Sequence, residues 1–194
     1  MQTPLTEYEL NKSLPEFYPR IFRMIRTMTF GTGMDPEDLT QDSFLKAYNK
    51  RHLYNGKSSL YTWVYQIARN TVLDALRSYK IRRRIFWWEE TDREPQDFQS
   101  AEDGDSTIAE RERKRLLYKA LAKLPEKDRL YITLRDLEGL SYQEISEMEQ
   151  IAEGTVKSRL FHARRKLKQE LIDIGMNPEE SGESESKEEH HSNY

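Results

Sequence analysis

Apolar residues recur along most of the chain with the spacing of amphipathic helices. Steps of three and four positions, which place side chains on one helical face, occur in five segments: residues 14–30, 36–51, 59–80, 108–123 and 127–138. The last two segments are separated at Leu124-Pro125, where proline removes a backbone donor. Runs that alternate apolar and polar residues, as strands do, are scarce. The pattern therefore predicts an all-α fold.

Prolines and capping residues indicate where two helices begin. Asp35 followed by Pro36 supplies a capping carboxylate and a proline at the first helical position, so a helix is predicted to start there. In the preceding segment, Pro19 is expected in the first turn, because an interior proline breaks the hydrogen-bond ladder. The predicted buried stripes are Phe17, Ile21, Phe22, Ile25 and Met28 in that segment, and Leu60, Val64, Ile67, Thr71, Ala75 and Leu76 over residues 59–80.

Residues 140–169 predict a helix-turn-helix. Ser141 and Glu144 have the spacing of a capping box at the start of a short helix, and Gly154 is expected in the turn. The inward positions of the two helices are Ile145, Met148, Ile151, Val156, Leu160, Ala163 and Leu167. The adjacent faces of the second helix carry Lys157, Ser158, Phe161, His162, Arg164, Arg165 and Lys168. Such a helix suits a DNA major groove, although an ordinary solvated basic face gives the same pattern.

Charge is distributed in blocks that the total of −3 over 194 residues conceals. Residues 1–88 carry +6, residues 89–110 carry −8, residues 111–172 carry +5 and residues 173–194 carry −6. Two basic units are thus separated by an acidic stretch and followed by another. We predict domains over residues 1–88 and 111–173, an acidic linker over 89–110, and a tail over 174–194 that is disordered by its composition.

Composition also limits the kinds of site to expect. The absence of cysteine excludes disulfides and thiolate metal sites. There is no glycine-rich phosphate loop, and His52 and His162 do not complete a catalytic triad with any plausible partners. No catalytic residue, metal or cofactor is therefore expected. No apolar run approaches membrane-spanning length and no signal peptide is recognisable, so a cytoplasmic location is expected.

The helix over residues 36–51 presents a small acidic and amide face with one leucine. Its members are Asp38, Gln41, Asp42, Leu45 and Asn49. Such a face suits docking against a basic protein surface. A plain solvated face fits the local pattern equally well.

Aromatic rings are interleaved with amides and cations between residues 54 and 70. The rings are Tyr54, Tyr61, Trp63 and Tyr65, and the polar groups nearby are Lys57, Gln66, Arg69 and Asn70. Single-stranded nucleic acid needs rings to stack bases and cations for phosphates, and an extruded base needs a polar pocket. The alternative is that Trp63 and some tyrosines are core residues. A cationic run downstream suits duplex phosphates, and Ile85-Phe86-Trp87-Trp88 packs on the first domain or binds a partner.

In this order, the motifs resemble the extracytoplasmic-function (ECF) class of bacterial RNA polymerase sigma factors, over about residues 14–84 and 111–170. DPEDLTQDSFLKAY is similar to their core-polymerase-binding motif, SSLYTWVYQIARNTVLDALR to their −10 melting helix, and LSYQEISEMEQIAEGTVKSRLFHARRKL to their −35-reading helix-turn-helix. The resemblance implies a protein that is not an enzyme and directs core polymerase to promoters. The alternative is a stand-alone helix-turn-helix regulator built on residues 111–172.

The resemblance also implies partners and residue roles. The partners are the clamp helices and flap of core polymerase, promoter DNA as duplex and single strand, and an anti-sigma factor, with no insertion into a membrane. Implied polymerase contacts are Asp38, Gln41, Asp42 and Leu45; implied −10 contacts are Tyr54, Asn55, Lys57, Ser58, Gln66, Asn70, Arg77, Arg82 and Arg83; implied −35 contacts are Thr155, Lys157, Ser158, Arg159, Phe161, His162 and Arg165. The chain departs from the family at Gln66 and His162, where Arg is frequent, and at Glu149-Gln150, where Leu-Gly is usual.

Overall fold

The computed structural model describes residues 5–85 and 107–176, and within these ranges every regular element is a helix. The elements are α1 (Glu7–Thr29), α2 (Pro36–Lys50), a 3-10 turn (Arg51–Leu53), α3 (Leu60–Ile85), α4 (Ile108–Lys123), α5 (Glu126–Ile132), a π-helical turn (Thr133–Leu137), α6 (Tyr142–Glu149) and α7 (Glu153–Asp173). The all-α prediction is confirmed. Residues 86–106, which include the Phe86–Trp88 part of the apolar patch and most of the acidic linker, lie outside the described residues, as does the tail beyond residue 176.

Several helix ends follow the local signals in the sequence. The Asp35 carboxylate accepts a hydrogen bond from the Glu37 N–H at 2.7 Å, directly before Pro36 at the start of α2. Ser141 and Glu144 form the predicted capping box at the start of α6. The break at Leu124-Pro125 separates α4 from α5. These ends were predictable because each depends on residues within one helical turn.

The start of α1 was predicted wrongly. The helix begins at Glu7, and Pro19 lies in its interior rather than in its first turn. A capping box starts it early: the Glu9 N–H donates to the Thr6 hydroxyl at 3.2 Å, and the Thr6 N–H donates to the Glu9 carboxylate at 2.9 Å. Burial of Leu10 and other apolar side chains then stabilises the helix despite the bonds that its prolines remove.

Two small apolar clusters lie within the two halves of the chain. Among α1, α2 and α3, the buried members are Leu5, Leu10, Phe17, Ala47 and Val64, with Tyr54 and Trp63 partly buried against them. Among α4, α5 and α7, they are Leu121, Leu124, Ile132 and Ala163. Trp63 is therefore packed on the core, as the alternative interpretation of the aromatic segment expected.

A third cluster, which we call the joint core, crosses from one half of the chain to the other. Its buried members are Ile21, Met24, Ile25, Met28, Tyr65, Ala68, Val72 and Leu76 from α1 and α3, and Leu130, Tyr131, Leu134, Leu140, Ile145, Met148, Val156 and Leu160 from the second half. Helix α3 is consequently buried on a second face, of which the predicted stripe included Leu76 but not Tyr65, Ala68 or Val72. Leu60, Ile67 and Ala75 of that stripe are only half-buried, as is Phe22 of α1.

Charged side chains connect the two halves at the edge of the joint core. Arg129 of α5 is 6% exposed and donates to the Met28 carbonyl at 2.7 Å, at the end of α1. It also donates to the carbonyls of Ala122 and Leu124. The Glu138 carboxylate, whose side chain is 2% exposed, lies 3.4 Å from the Arg23 guanidinium. Directional contacts such as these fix how the apolar surfaces align.

The described residues show no helix long and apolar enough to cross a membrane.

Arg129→Ala should lower the free energy of unfolding by about 3 kcal/mol, because it leaves buried carbonyls of both halves without their charged donor. The measurement is urea unfolding followed by circular dichroism. Lys127→Ala, an exposed change in the same helix, is the control and should leave the midpoint nearly unchanged. Equal midpoints for the two variants would contradict the assigned role of Arg129.

Candidate nucleic-acid interfaces

The outer face of α7 forms an open groove of about 730 Å³. Its inner face is anchored by Val156, Leu160 and Ala163, all buried as predicted. The residues that line the groove are Tyr142, Lys157, Ser158, Phe161, Arg164, Arg165 and Lys168. Thr155 and His162 are exposed beside it. Four of the groove residues are therefore predicted −35 contacts, and the other three are Tyr142, Arg164 and Lys168.

Cations in this groove are held by rings and carboxylates. Lys157 Nζ lies 2.9 Å from the Glu153 carboxylate and 5.4 Å from the centre of the Tyr142 ring. The Arg165 guanidinium lies 6.0 Å from the centre of the Phe161 ring, which is itself 59% exposed. Such contacts orient cations while leaving their donors accessible to phosphate or base edges.

Arg164 and Arg159 are turned toward the protein. Arg164 donates to both oxygens of Asp136, at 3.1 and 2.6 Å, and this hydrogen bonding raises the pKa of Arg164. Arg159 donates to the Tyr131 hydroxyl. Tyr142, which no sequence argument singled out, enters the groove because it follows the Ser141 cap and lies in the first turn of α6.

The turn between α6 and α7 differs from the predicted one. Gly154 lies inside the first turn of α7, and the residue with left-handed backbone geometry is Gln150, with φ of 54° and ψ of 44°. The Ile151 N–H donates to the Ser146 carbonyl at 3.2 Å, and the Ser146 hydroxyl donates to the Ile151 carbonyl at 2.6 Å. These bonds fix the left-handed geometry that glycine usually supplies at this point of a helix end.

The exposed face of α2 is arranged as predicted. Asp38 and Gln41 are exposed, Leu45 is 59% exposed, and Asp42 forms an ion pair with Lys46 at 2.7 Å. Thr40, Ser43 and Ala47 are buried on the opposite side. The predicted face of α2 is therefore accessible to solvent in this structure.

The loop before α3 is ordered by its own polar groups. The Tyr54 hydroxyl donates to the Ser58 carbonyl at 2.7 Å, and the Asn55 side-chain oxygen accepts from the Lys57 N–H at 3.1 Å. The Tyr54 ring lies 5.5 Å from the Trp63 ring, centre to centre. Lys57 is left exposed at the tip. The loop is thus fixed by its own hydrogen bonds, with the Tyr54 ring against Trp63 on the core and Lys57 as its exposed cation.

Gln66, Arg69 and Asn70 lie on one face of α3, where the turn after α6 meets it. Gln66 donates to the Met148 carbonyl at 3.1 Å, and Arg69 contacts Glu149. Asn70 is exposed and accepts from Arg69 at 3.2 Å. Of the predicted cations further along α3, Arg77 is paired with Asp74 at 2.7 Å, whereas Arg82 and Arg83 are exposed. The predicted −10 residues therefore lie partly in an accessible loop before α3 and partly on a face of α3 that the turn after α6 contacts.

Residues 5–85 and 107–176 contain no group of three or more histidine or acidic residues that is arranged to hold a metal ion.

Comparison with known protein families finds two matches along the chain. Residues 16–82 match the model of Sigma-70 region 2, and residues 114–167 match the model of Sigma-70, region 4. The first match covers the second half of α1, all of α2 and most of α3, and the second covers most of α4, all of α5 and α6 and most of α7. The region 2 match does not favour a stand-alone helix-turn-helix regulator.

Curated proteins and solved structures give the same result. The chain is 34% identical over 141 residues to the ECF RNA polymerase sigma-E factor of Haemophilus influenzae, covering 71% of this chain and 75% of that protein. It is 34% identical over 139 residues to the protein of the same name in Escherichia coli K12, covering 69% and 72%.

Among solved structures, the sigma factor RpoE in complex with the anti-sigma factor NepR from Bartonella quintana matches with a TM-score of 0.63 and 25% identity, over 84% of this chain and 96% of that one. CnrH in complex with the cytosolic domain of CnrY matches with a TM-score of 0.61 and 19% identity, over 88% and 91%. The second likeness shows the fold.

Gln150→Gly should stabilise the protein by about 0.5–1 kcal/mol. Left-handed geometry destabilises a residue with a Cβ by about 1–2 kcal/mol. Glycine avoids this cost but loses about 0.5–1 kcal/mol of the gain, because its unfolded chain is more flexible. Thermal unfolding measures the difference. Gln150→Ala is the matched control, since it removes the side chain but keeps the Cβ, and it should give no gain. Equal stabilisation by both substitutions would locate the effect in the side chain instead.

Proposed function

Because this chain belongs to the ECF class of RNA polymerase sigma factors, we propose that three of its surfaces divide the work of initiation among polymerase, −10 DNA and −35 DNA. A sigma factor of this class directs core polymerase to specific promoters. The observation that carries the proposal is the accessible donor face of α7 above its buried stripe, on a chain whose loop before α3 leaves Asn55 and Lys57 exposed. The proposed location is the cytoplasm, where core polymerase and promoter DNA are found.

The face of α7 is proposed to enter the major groove of the −35 element. Lys157, Ser158 and Arg165 line the groove with accessible donors, and Phe161 offers an apolar edge for a thymine methyl. Thr155 at the helix start and His162 lie where phosphates or flanking bases pass. Arg159 acts through Tyr131 and positions α7 rather than reading a base.

The loop before α3 and the polar face of α3 are proposed to bind the −10 element. Tyr54, Asn55, Lys57 and Ser58 form the ordered loop, and Gln66 and Asn70 extend it along the helix. Arg77, Arg82 and Arg83 continue toward duplex phosphates. Rings and amides capture unpaired bases better than paired ones, which couples binding to melting.

The exposed face of α2 is proposed to dock on the clamp helices of the largest polymerase subunit, with the second half of the chain near the flap. Asp38, Gln41 and Asp42 supply acceptors around the exposed Leu45. An anti-sigma factor is a further proposed partner, supported by the solved relative that was crystallised with one. The proposed division of labour follows the predicted domains, residues 1–88 and 111–173.

Leu45→Ser should weaken binding to purified core polymerase about ten- to hundredfold, because burying a leucine at an interface contributes about 1.5–3 kcal/mol. Run-off transcription from a promoter library at limiting sigma factor should fall in parallel. Leu53→Ser is a matched control, since that leucine is 61% exposed on the neighbouring 3-10 turn. Equal losses for the two variants would contradict the docking role. A wild-type protein that neither binds core nor directs initiation would overturn the proposed function itself.

Arg165→Ala should reduce binding to a −35 duplex, taken from a promoter that the run-off assay identifies, by about 1–3 kcal/mol and relax its base preference. Competition with single-base variants of the duplex measures both effects. Lys166→Ala removes the same charge from a side chain that pairs with Asp128 at 2.6 Å. If both variants lost affinity equally and kept the base preference of the wild type, Arg165 would contact a phosphate and not a base.

A further inference from the structure

The open groove on α7, which we call the α7 groove, contains cations that have no carboxylate partner. Lys157 and Arg164 each form an ion pair with an acidic side chain. Arg165 and Lys168 are exposed, and no acidic side chain in the described part of the chain pairs with either of them. The exposed ring of Phe161 lies beside the Arg165 guanidinium. The α7 groove therefore has charge and space for a further anionic group.

The segment that follows α7 carries the complementary charge. Residues 177–194, which we call the acidic tail, lie outside the described residues and contain six glutamates against one lysine. Carboxylates form charge-assisted hydrogen bonds with lysine and arginine, as phosphates do. The acidic tail is therefore a candidate for the groups that the α7 groove lacks. Its glutamates are Glu179, Glu180, Glu183, Glu185, Glu188 and Glu189.

The end of α7 turns the chain away from the helix axis. Gly175 has left-handed backbone geometry, with φ of 81°. The Met176 N–H donates to the Leu171 carbonyl at 2.9 Å, and the Gly175 N–H donates to the Ile172 carbonyl at 2.9 Å. This pair of bonds is a Schellman helix end, in which the chain folds back beside the last helical turn. The acidic tail consequently starts beside the end of α7.

The acidic tail is long enough to reach the whole α7 groove. At about 1.5 Å of rise per residue, Lys168 lies about 8 Å and Lys157 about 24 Å before the end of α7 at Asp173. A segment of 18 residues spans up to about 60 Å when it is extended. The exposed cations Arg82 and Arg83 lie on α3, in the other half of the chain. The α7 groove is therefore the cationic surface nearest to the acidic tail along the sequence.

We propose that the acidic tail docks in the α7 groove of its own chain, where its glutamates pair with Arg165, Lys168 and Lys157. The occupant is a tethered segment, so its effective concentration at the groove is in the millimolar range. The glutamates take positions that DNA phosphates would take, and the tail must leave before α7 enters a major groove. Only this competition with DNA rests on the proposed −35 role of α7; the docking itself does not.

Paramagnetic relaxation in the full-length protein tests where the acidic tail lies. The chain contains no cysteine, so Ser192→Cys provides one site for a nitroxide label. At low salt, the label should broaden the backbone amide signals of Lys157, Phe161 and Arg165. Adding salt should remove the broadening, because exposed ion pairs are screened.

The matched control carries the same label and has all six glutamates of the acidic tail replaced by glutamine. It keeps the tether and the length of the tail but removes the charge, so its broadening measures chance encounters alone. Docking predicts that the broadening on α7 is lost in this control. Equal broadening in the two proteins would overturn the proposal. Charge-dependent broadening centred on Arg82 and Arg83 instead would also overturn it, because it would place the tail on α3.

A second experiment compares two full-length variants that lose six negative charges each. One has the neutral tail, and the other has a neutralised linker. The probe is a fluorescein-labelled, mixed-sequence duplex of about 20 base pairs, which binds through its phosphates. The linker variant corrects for the general gain in DNA affinity on losing negative charge. Its substitutions are Glu89→Gln, Glu90→Gln, Asp92→Asn, Glu94→Gln, Asp97→Asn and Glu102→Gln.

The apparent affinity for the duplex scales with the fraction of the protein whose groove is free. The neutral-tail variant should therefore bind the duplex at least about fivefold more tightly than the linker variant at low salt, the lower end of usual coupling strengths. Equal affinities, with both variants folded by circular dichroism, would overturn the proposal. A larger gain in the linker variant would overturn it too, since the linker would then be the occupant.

The docking and the proposed function can fail separately. The docking is measured on the free protein, whereas the proposed function is measured with core polymerase. Normal initiation together with equal broadening in the two labelled proteins removes the docking alone. Charge-dependent broadening on α7, in a protein that does not support initiation, supports the docking and removes the sigma-factor roles assigned to the surfaces.

Discussion

The structure depends most on the joint core, where α1 and α3 bury a second apolar face against the helices of the other half. Apolar burial supplies most of the attraction, at about 1.5–3 kcal/mol for each large side chain that is fully buried, but it has no direction. Direction comes from three charged residues at the edge of the joint core. Arg129 meets the end of α1, Glu138 meets Arg23, and Glu149 meets Arg69. Each of these pairs stops the apolar surfaces from sliding to another register.

The joint core affects the three proposed surfaces unequally. The faces of α2 and α7 point outward and remain accessible, whereas Gln66 and Arg69 of α3 are covered by the turn after α6. Given the proposed roles, this difference in accessibility implies an order in which the three surfaces can bind their partners. Polymerase docking through α2 and duplex contact through α7 require no rearrangement, but capture of −10 bases does. Under the proposed roles, single-stranded DNA would compete with the contacts that Gln66 and Arg69 make with the turn after α6.

The sequence predicted the features that depend on residues within one or two helical turns, such as helix caps and buried stripes. All seven inward positions of the helix-turn-helix are buried or half-buried, and the caps at Asp35 and Ser141 form as expected. The prediction failed where distant residues decide. The interior position of Pro19 depends on burial of Leu10 and Phe17, and the second face of α3 depends on residues about 54–95 positions away in sequence. Which cations of α7 remain accessible likewise depends on Asp136 and Tyr131, which no local pattern reveals. The roles of the individual site residues stay predictions.

Two local features destabilise the turn at Glu149-Gln150. Gln150 adopts left-handed geometry at a cost of about 1–2 kcal/mol, and Glu149 loses solvation as it is buried. A leucine and a glycine at these positions would avoid both costs and still close the turn. Replacing both therefore removes a strain and a desolvation penalty, yet also removes the group that holds Arg69. Since the Glu149 carboxylate contacts α3 rather than its own helix-turn-helix, its benefit is in the contact between the two halves. The burial of Glu149 is thus explained by the contact between the two halves and not by the helix-turn-helix itself.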